Sequence, residues 1–299
     1  MSSSPVVMVE YQQAQRANHP EFVMQNEVCR PIFVLGLNKS GTSLLYLCLS
    51  RHPQLSAIQV PTSAPRRKHE TSMLYLSDYN ISEGHKLTSL PAKLRPSDHA
   101  SCFAHPSYLP KYRLTEADVA ADDWQLVHAA YHAAMVDSNK RLCEKSPPNL
   151  VRSRYLQALF PDATFVAIVR SPYANLSANA KKRNKWGTVA EQAAHWAGGY
   201  ETLLTDSQHL RRLLIIHYEE LVDNPRGTLA AVCAHCQLDY SPELLAGTSI
   251  ECGVNDQLIA LLTAADVRVI TAACQDVMRR LGYDPLRSRG TNGDSRHAA

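Results

Sequence analysis

Residues 33–53 read FVLGLNKSGTSLLYLCLSRHP, an apolar segment followed by a glycine-containing loop and a helical pattern. The loop glycines, Gly36 and Gly41, stand in the frame G-x-x-x-x-G. A strand, such a loop and a helix present backbone N–H groups and the positive end of a helix dipole to one point, which suits phosphate binding. Thr42 stands where a nucleoside triphosphatase needs a lysine, and Lys39 lies inside the loop instead. The stretch predicts a phosphate site of another kind; the alternative is a tight turn that uses glycine only for its shape.

The overall composition is that of an ordinary globular protein. The chain has 299 residues, 45% hydrophobic and 20% charged, with a formal net charge of +3. This length fits one α/β domain, and the charge is too small to indicate general nucleic-acid binding. No apolar run approaches the roughly 20 residues needed to cross a bilayer, and the N-terminus lacks a signal-peptide pattern. We therefore expect a cytoplasmic protein with no nucleic-acid or membrane partner.

The eight cysteines predict reduced thiols rather than a disulfide framework, because no secretion signal accompanies them. Cys233 and Cys236 form a CxxC pair inside the apolar helical stretch TLAAVCAHCQL. No second CxxC completes a four-ligand zinc site. We expect the pair to pack in a helix, with a metal or redox role as the alternative, and we find no convincing set of metal ligands in the sequence.

Alternating strand and helix patterns predict an α/β fold with a central parallel sheet covered by helices on both faces. The predicted strands are about 31–36, 55–60, 163–169 and 213–217, and the predicted helices include about 43–51, 116–138 and 150–159. Thr115 with Asp118, and Thr188 with Glu191, match the capping pattern of helix starts.

The same patterns predict one domain over residues 30–285. Residues 1–29 form an N-terminal extension, and residues 286–299 form a polar tail. Residues 61–113 change period repeatedly, and a long irregular stretch inside a domain is typically functional or mobile. We therefore expect residues 61–113 to form a substrate-binding site or a lid over it.

The loop and three later segments resemble one known family. LNKSGTSLL, at 37–45, is similar to the 5′-phosphosulfate-binding loop of sulfotransferases that use 3′-phosphoadenosine 5′-phosphosulfate (PAPS). The other segments begin EKSPPNLVRSR at residue 144, HYEELVDNP at residue 217 and VMRRLGYDP at residue 277, in the family's order. The resemblance covers roughly residues 30–285 and is closest to the bacterial-type enzymes. It implies a P-loop-like sulfotransferase fold, PAPS as co-substrate, 3′-phosphoadenosine 5′-phosphate (PAP) as product, and no required metal.

The resemblance also implies which residues bind the co-substrate. Arg170, directly after the apolar run VAIV, matches the arginine that binds the 3′-phosphate, and a guanidinium suits bidentate phosphate contact. The family's partner serine usually follows eight residues later, where this chain has Ala178, so we assign that role to Ser177. Tyr218 matches a tyrosine near the adenine, although packing in the core is an alternative for it. The residues implied at the 5′-phosphosulfate are Lys39, Ser40, Gly41, Thr42 and Ser43.

Catalytic groups are implied less directly. Lys39 would act at the bridging oxygen, and Lys145 matches a lysine near the transferring group. The histidine base of the animal cytosolic enzymes would fall at Pro147, so this segment supplies no base. Other branches use a glutamate after the second strand, which makes Glu70 the first candidate and His69 the second. Competing histidines of the same irregular segment are His85, His99 and His105.

These assignments predict in-line transfer of a sulfuryl group from PAPS to a hydroxyl or amine of a small-molecule, carbohydrate or peptide acceptor. The first alternative is a small-molecule kinase or other P-loop NTPase. It would need a lysine at position 42 and an aspartate after a later strand for Mg²⁺, where this chain has Arg170 and His217. The second alternative is a catalytically inactive nucleotide-binding protein that serves as a partner.

Overall fold

A five-stranded parallel sheet forms the centre of the molecule. The computed structural model describes residues 27–58, 92–94, 102–180 and 187–286. The strands are β1 (Ile32–Leu35), β2 (Leu55–Ser56), β3 (Arg141–Glu144), β4 (Thr164–Val169) and β5 (Leu213–His217). Their order across the sheet is β2-β3-β1-β4-β5, and neighbouring strands pair in parallel. The predicted single α/β domain with a parallel sheet is confirmed.

Helices connect the strands and cover the sheet. They are α1 (Thr42–Leu49), α2 (Leu109–Tyr112), α3 (Asp123–Ala134), α4 (Ser153–Leu159), α5 (Pro172–Ala180), α6 (Val189–Asp206), α7 (Tyr218–Asp223), α8 (Pro225–His235), α9 (Val254–Ile259) and α10 (Ala264–Arg280). Short 3₁₀ helices lie at Ala92–Leu94, Glu116–Asp118, Pro147–Val151 and Pro242–Leu245.

The two faces of the sheet bury different hydrophobic clusters, because successive side chains of a strand point to opposite faces. Phe33 and Leu35 of β1 belong to a cluster that includes buried residues of α3, α4, α5, α6 and α10. Ile32 and Val34 belong to a cluster formed with α1, α7 and α8. The result is a three-layer arrangement in which helices cover both faces of the sheet.

Three predicted elements need correction. The predicted helix 116–138 is two elements, the 3₁₀ helix Glu116–Asp118 and α3, and the predicted Thr115 cap stands at the first of them. The predicted helix 150–159 begins as a 3₁₀ helix and becomes α-helical only at Ser153. Within the described residues, the strand predicted at 55–60 is the two-residue β2. The sequence patterns also missed β3, a four-residue strand with polar residues at both ends.

The CxxC pair lies at the end of α8, as predicted, with both sulfurs in the core. Burial raises the pKa of the Cys236 thiol to about 12 and that of the Cys233 thiol to about 11. All eight cysteines are free thiols. Both members of the pair are therefore neutral, buried side chains, which is the packing role expected for them.

A buried arginine anchors two described pieces of the irregular segment. Arg152 donates from Nε to the Tyr112 carbonyl and from Nη1 to the Leu94 carbonyl. Burial lowers its pKa to about 10, so it remains charged at neutral pH. Because Leu94 and Tyr112 are distant in sequence, the hydrogen bonds of Arg152 connect two parts of the irregular segment to the start of α4.

Another part of the irregular segment packs on two consecutive glycines of α6. A Cβ atom at Gly198 would lie 2.3 Å from the carbonyl oxygen of Ala104, and one at Gly199 would lie 2.8 Å from Leu37 Cδ2. The Ala104 N–H donates to Nδ1 of His195 over 3.2 Å. Burial, with His105 nearby, lowers the pKa of His195 to about 3, so its ring is neutral. The chain around Ala104 is therefore held beside Leu37, at the start of the loop after β1.

Replacing Gly198 by alanine should lower the free energy of unfolding by about 1–3 kcal/mol, because the new methyl group meets a backbone oxygen that cannot move independently. This net loss remains after the helix-propensity gain of about 1 kcal/mol from the same change is subtracted. Gly199→Ala is the comparison variant and should lose less stability, since the atom closest to its methyl group, Leu37 Cδ2 at 2.8 Å, ends a side chain that can move. Urea denaturation of both variants measures the difference. A Gly198→Ala protein as stable as Gly199→Ala would contradict the packing.

Candidate active site

Four of the predicted site features directly follow strands of the sheet. The loop follows β1, Lys145 follows β3, Arg170 follows β4 and Tyr218 follows β5. Because the strands are parallel, their carboxyl ends share one edge, which is where ligands bind in open α/β sheets. The topology therefore brings residues from distant parts of the sequence to one edge.

The loop at residues 36–41 has a backbone that only certain residues allow. A Cβ atom at Gly36 would lie 2.7 Å from the carbonyl oxygen of Ile168 on β4. Lys39 and Gly41 both have positive φ angles, 67° and 96°. Gly41 is also the N-cap of α1, and as a glycine it has no side chain that could cap the helix. The first N–H groups of α1 therefore remain available for an anion at the loop.

The loop side chains divide into an outer and an inner set. Lys39 and Ser43 are exposed, whereas Ser40 and Thr42 are buried. Ser40 Oγ lies 2.7 Å from the Tyr200 hydroxyl, and the Ser40 N–H donates to the Leu37 carbonyl over 3.2 Å. Ser40 therefore supports the loop from the core side, while Lys39 and Ser43 face solvent.

Two residues that the sequence patterns did not predict, on α5 and α6, form hydrogen bonds that hold the loop from its buried side. Asn175 on α5 donates from Nδ2 to the Asn38 carbonyl over 2.9 Å and to Ser40 Oγ over 3.0 Å. The Tyr200 hydroxyl of α6 donates to the Ile168 carbonyl over 3.3 Å. Burial raises the pKa of Tyr200 above its usual range, so the hydroxyl stays protonated. This buried network fixes the loop shape before any ligand arrives.

Arg170 lies against the loop. Its Nη1 donates to the Lys39 carbonyl over 2.9 Å, and its Nε and Nη2 donate to Asn255 Oδ1 over 2.9 and 2.7 Å. The guanidinium carbon stands 4.1 Å from the centre of the Tyr218 ring. Burial lowers the Arg170 pKa from its usual 12.5, which still leaves it cationic at neutral pH. A fixed positive charge therefore adjoins the loop.

Tyr218 contacts both the loop and Arg170. A Cβ atom at Gly41 would stand 2.5 Å from Cδ2 of the Tyr218 ring, so the ring packs directly on that glycine. One face of the Arg170 guanidinium is covered by the same ring. Tyr218 therefore links the loop to the cation, and its predicted role near an adenine stays a prediction.

Ser177, the second predicted 3′-phosphate ligand, already makes a hydrogen bond within the protein. Its Oγ donates to the Leu258 carbonyl of α9 over 2.6 Å, and its side chain is buried. Ala178 is half-buried. In this structure the Ser177 hydroxyl fastens α9 to α5.

The end of β3 carries a buried pair of charged residues. Glu144 pairs with Phe33 of β1 in the sheet register, and Lys145 follows it. Both side chains are buried, with exposed fractions of 0% and 3%. The Glu144 carboxylate accepts from Asn149 Nδ2 over 2.7 Å and from the Ser146 hydroxyl. Lys145 therefore lies at the same sheet edge as the loop, directly after a residue whose two carboxylate oxygens both accept hydrogen bonds.

The protein family of this chain is identified by a sequence match that includes the site residues. A model of the Sulfotransferase family matches residues 31–242, a range that includes the loop, Arg170 and Tyr218. The chain belongs to this family. The resemblance first drawn from the loop and the later segments is thereby confirmed.

Curated relatives of this sulfotransferase-family chain are distant. It is 26% identical over 243 residues to the nodulation protein NoeE of Sinorhizobium fredii, covering 72% of this chain and 52% of that protein. It is 23% identical over 246 residues to protein-tyrosine sulfotransferase 2 of Gallus gallus, covering 77% of this chain and 56% of that protein. The chain thus spans about half the length of these relatives.

Solved sulfotransferase domains share the fold. The sulfotransferase domain of the olefin synthase of Synechococcus PCC 7002 superposes with a TM-score of 0.55 at 19% sequence identity. The match covers 87% of this chain and 96% of that domain. Since the identity is low, this likeness confirms the predicted sulfotransferase fold and no more.

Most candidates for the catalytic base of this sulfotransferase-family protein lie outside the described residues. These are Glu70, His69, His85 and His99. The fifth, His105, is half-buried, and its Nδ1 accepts the Ser107 N–H over 3.2 Å. The base therefore stays a prediction, with Glu70 first and His69 second.

The described residues contain neither a cluster of metal-ligand side chains nor a membrane-spanning helix. In residues 27–58, 92–94, 102–180 and 187–286, no group of three or more His, Cys, Asp or Glu side chains is placed to hold a metal ion. Within the same ranges, no helix is both long enough and apolar enough to span a membrane.

Proposed function

We propose that the protein transfers a sulfuryl group from PAPS to a hydroxyl or amine of an acceptor. The observation that carries this proposal is the hydrogen bond from Arg170 to the Lys39 carbonyl. It holds a guanidinium at the side of a phosphate loop, so one sheet edge offers two adjacent sites for anions. A nucleotide with a 5′-phosphosulfate and a separate 3′-phosphate presents two anionic groups of this kind.

The loop suits the 5′ group of such a co-substrate. Glycine at position 36 avoids a clash with β4, and the uncapped start of α1 leaves N–H donors for phosphate oxygens. We propose that Thr42 and Ser43 hold the 5′-phosphate together with those N–H groups. PAPS would supply the activated sulfuryl group, and the exposed Lys39 ammonium would stabilise the charge that develops on the leaving oxygen.

The acceptor side involves other residues. Lys145 lies at the same edge of the sheet, where it would add positive charge near the transferring group. We propose that Glu70, or His69 in its place, takes the acceptor's proton. The acceptor would be a small molecule, a carbohydrate or a peptide, bound by residues of the irregular segment 61–113. The fixing of Ala104 beside Leu37 supports this location, because it holds that segment next to the loop.

We further propose that the protein works without a metal and in the cytoplasm. The eight cysteines form no disulfide with one another in the structure, which fits a reducing compartment.

The kinase alternative finds little support at this site. A kinase needs a lysine where this chain has Thr42, and a carboxylate that can reach Mg²⁺. Glu144 ends the strand next to β1, yet it is fully buried and both of its oxygens accept hydrogen bonds from Ser146 and Asn149. The geometry therefore favours sulfuryl transfer over phosphoryl transfer.

The deciding experiment is calorimetric binding of PAP without magnesium, compared with AMP and with ATP plus magnesium. We expect PAP to bind about 100-fold more tightly than AMP, because a phosphate on a buried guanidinium makes strong charge-assisted bonds. Added magnesium should leave PAP binding unchanged. Preference for ATP with magnesium, together with indifference to the 3′-phosphate, would overturn the proposal in favour of the kinase.

A further inference from the structure

We propose that Asn255 is a positioning residue for Arg170 and thereby sets the preference for a 3′-phosphate; this inference rests on the proposed function. Asn255 lies on the first turn of α9 and is 85 residues from Arg170 in sequence. Its Oδ1 accepts from Nε and from Nη2 of Arg170 at 2.9 and 2.7 Å. One oxygen therefore holds one whole edge of the guanidinium.

The orientation of the Asn255 amide is set by its other end. Asn255 Nδ2 donates to Glu219 Oε1 over 2.6 Å. An ionised carboxylate only accepts hydrogen bonds, so it must face the amide nitrogen. The amide oxygen is then directed to Arg170, which only donates. The two charged neighbours thus leave the amide a single good orientation.

Glu219 is itself fixed in place. Its Oε1 also accepts the Ser171 N–H over 3.1 Å, and its Oε2 accepts the Tyr283 hydroxyl over 2.8 Å. Ser171 follows Arg170 in the chain, so the carboxylate is tied to the same strand end that carries the guanidinium. The chain of contacts from Tyr283 through Glu219 and Asn255 ends on Arg170.

A second contact holds α9 in the position from which Asn255 reaches the Arg170 guanidinium. Ser177 on α5 donates to the Leu258 carbonyl of α9, and α9 packs against α5. This contact fastens the helix near the end that follows Asn255. The Ser177 hydroxyl therefore contributes to the position of Asn255.

The neutral amide between the two charges has a chemical consequence. A carboxylate bonded directly to Arg170 would neutralise the guanidinium and compete with an anionic ligand. An amide at the same place orients the guanidinium and leaves its positive charge uncompensated by a direct partner. Among the described residues, the three hydrogen bonds of Arg170 use three of its five N–H donors. Two donors thus remain for a phosphate on a side chain that is already held in place.

The test compares the binding of PAP and AMP to the full chain by calorimetry, in the wild type and in two variants. In Asn255→Ala the ratio of the AMP to the PAP dissociation constant should fall about tenfold, because the guanidinium loses its orienting acceptor. In the nearly isosteric Asn255→Asp it should fall about 100-fold, because the new carboxylate cannot donate to Glu219, is repelled by it and pairs with Arg170. The affinity for AMP should stay unchanged in both, which also reports that the loop is folded.

Gln257→Ala is the matched control, because it removes an exposed neutral amide from the same helix. It should keep the wild-type ratio. As a readout of positioning, Asn255→Ala should raise KM for PAPS and leave kcat unchanged. The Asp variant also decides the matter if the Ala variant proves unstable.

Two results would overturn the proposal. If the wild type prefers PAP and both Asn255 variants keep or increase that preference, Asn255 does not position Arg170, while the proposed function stands. If the wild type itself binds PAP and AMP equally, the proposed function fails together with the role of Asn255.

Discussion

Replacing Lys39 by alanine will lower the rate of sulfuryl transfer by about 100- to 1000-fold, the usual cost of removing one donor that stabilises developing charge. The Lys39 side chain is exposed on the loop, and in the proposed mechanism its ammonium contacts the oxygen that leaves from sulfur. That oxygen gains charge only as the bond to sulfur breaks. An interaction made chiefly in the transition state affects kcat more than binding. We therefore expect the binding of PAP to change by no more than about fivefold, the effect of one modest contact.

The backbone at Lys39 makes alanine a fair replacement. Its φ of 67° is left-handed, and any residue with a Cβ atom bears a similar cost there. Alanine thus removes the ammonium and keeps the backbone cost of the left-handed conformation. Glycine would remove the ammonium and that cost together. Lys39→Arg keeps the charge on a different shape and should recover part of the lost rate.

The measurement is release of PAP from PAPS with a simple phenol or with water as acceptor, followed by chromatography under single-turnover conditions. Calorimetric binding of PAP to each variant separates the two effects. A Lys39→Ala protein that transfers at the wild-type rate would remove Lys39 from the mechanism. One that loses PAP binding as strongly as rate would assign Lys39 to ground-state binding.

Sequence patterns were sufficient for elements that rest on continuous apolar runs. The strand predicted at 213–217 is β5, and the one predicted at 163–169 differs from β4 by one residue. In contrast, β3 was missed, because Arg141–Glu144 contains only two apolar residues. Its strand conformation comes from pairing with both β1 and β2, which local sequence does not report.

The site residues also fall into two groups, those that the sequence identified and those that only the structure reveals. Arg170 and Tyr218 were assigned from the family resemblance, and the structure places each directly after a strand, at the edge where parallel strands end. Asn175, Tyr200 and Asn255 belong to no motif and reach the site only through helix packing. A helical pattern indicates that a face is buried, but it does not indicate which loop that face meets.

Removing the guanidinium of Arg170 will weaken PAP binding by about 100-fold or more, since a buried charged contact typically contributes several kcal/mol. The comparison with AMP isolates the 3′-phosphate, because the two ligands differ only in that group. Arg170→Ala should therefore bring the affinities for PAP and AMP close together. Arg170→Lys keeps a positive charge without the planar fork and should lie between wild type and Arg170→Ala.

Arg170 also supports the loop, and loss of this second role would change the measured affinities in a different way. Its loss leaves the Lys39 carbonyl without that donor and uncovers one face of the Tyr218 ring. These effects would weaken AMP and PAP equally, because both ligands use the loop. A ratio of affinities that falls to about one, with AMP binding within about threefold of wild type, assigns Arg170 to the 3′-phosphate. If instead both affinities fall together and the ratio persists, Arg170 is a support for the loop, and the cation that recognises a 3′-phosphate must be sought in another part of the chain.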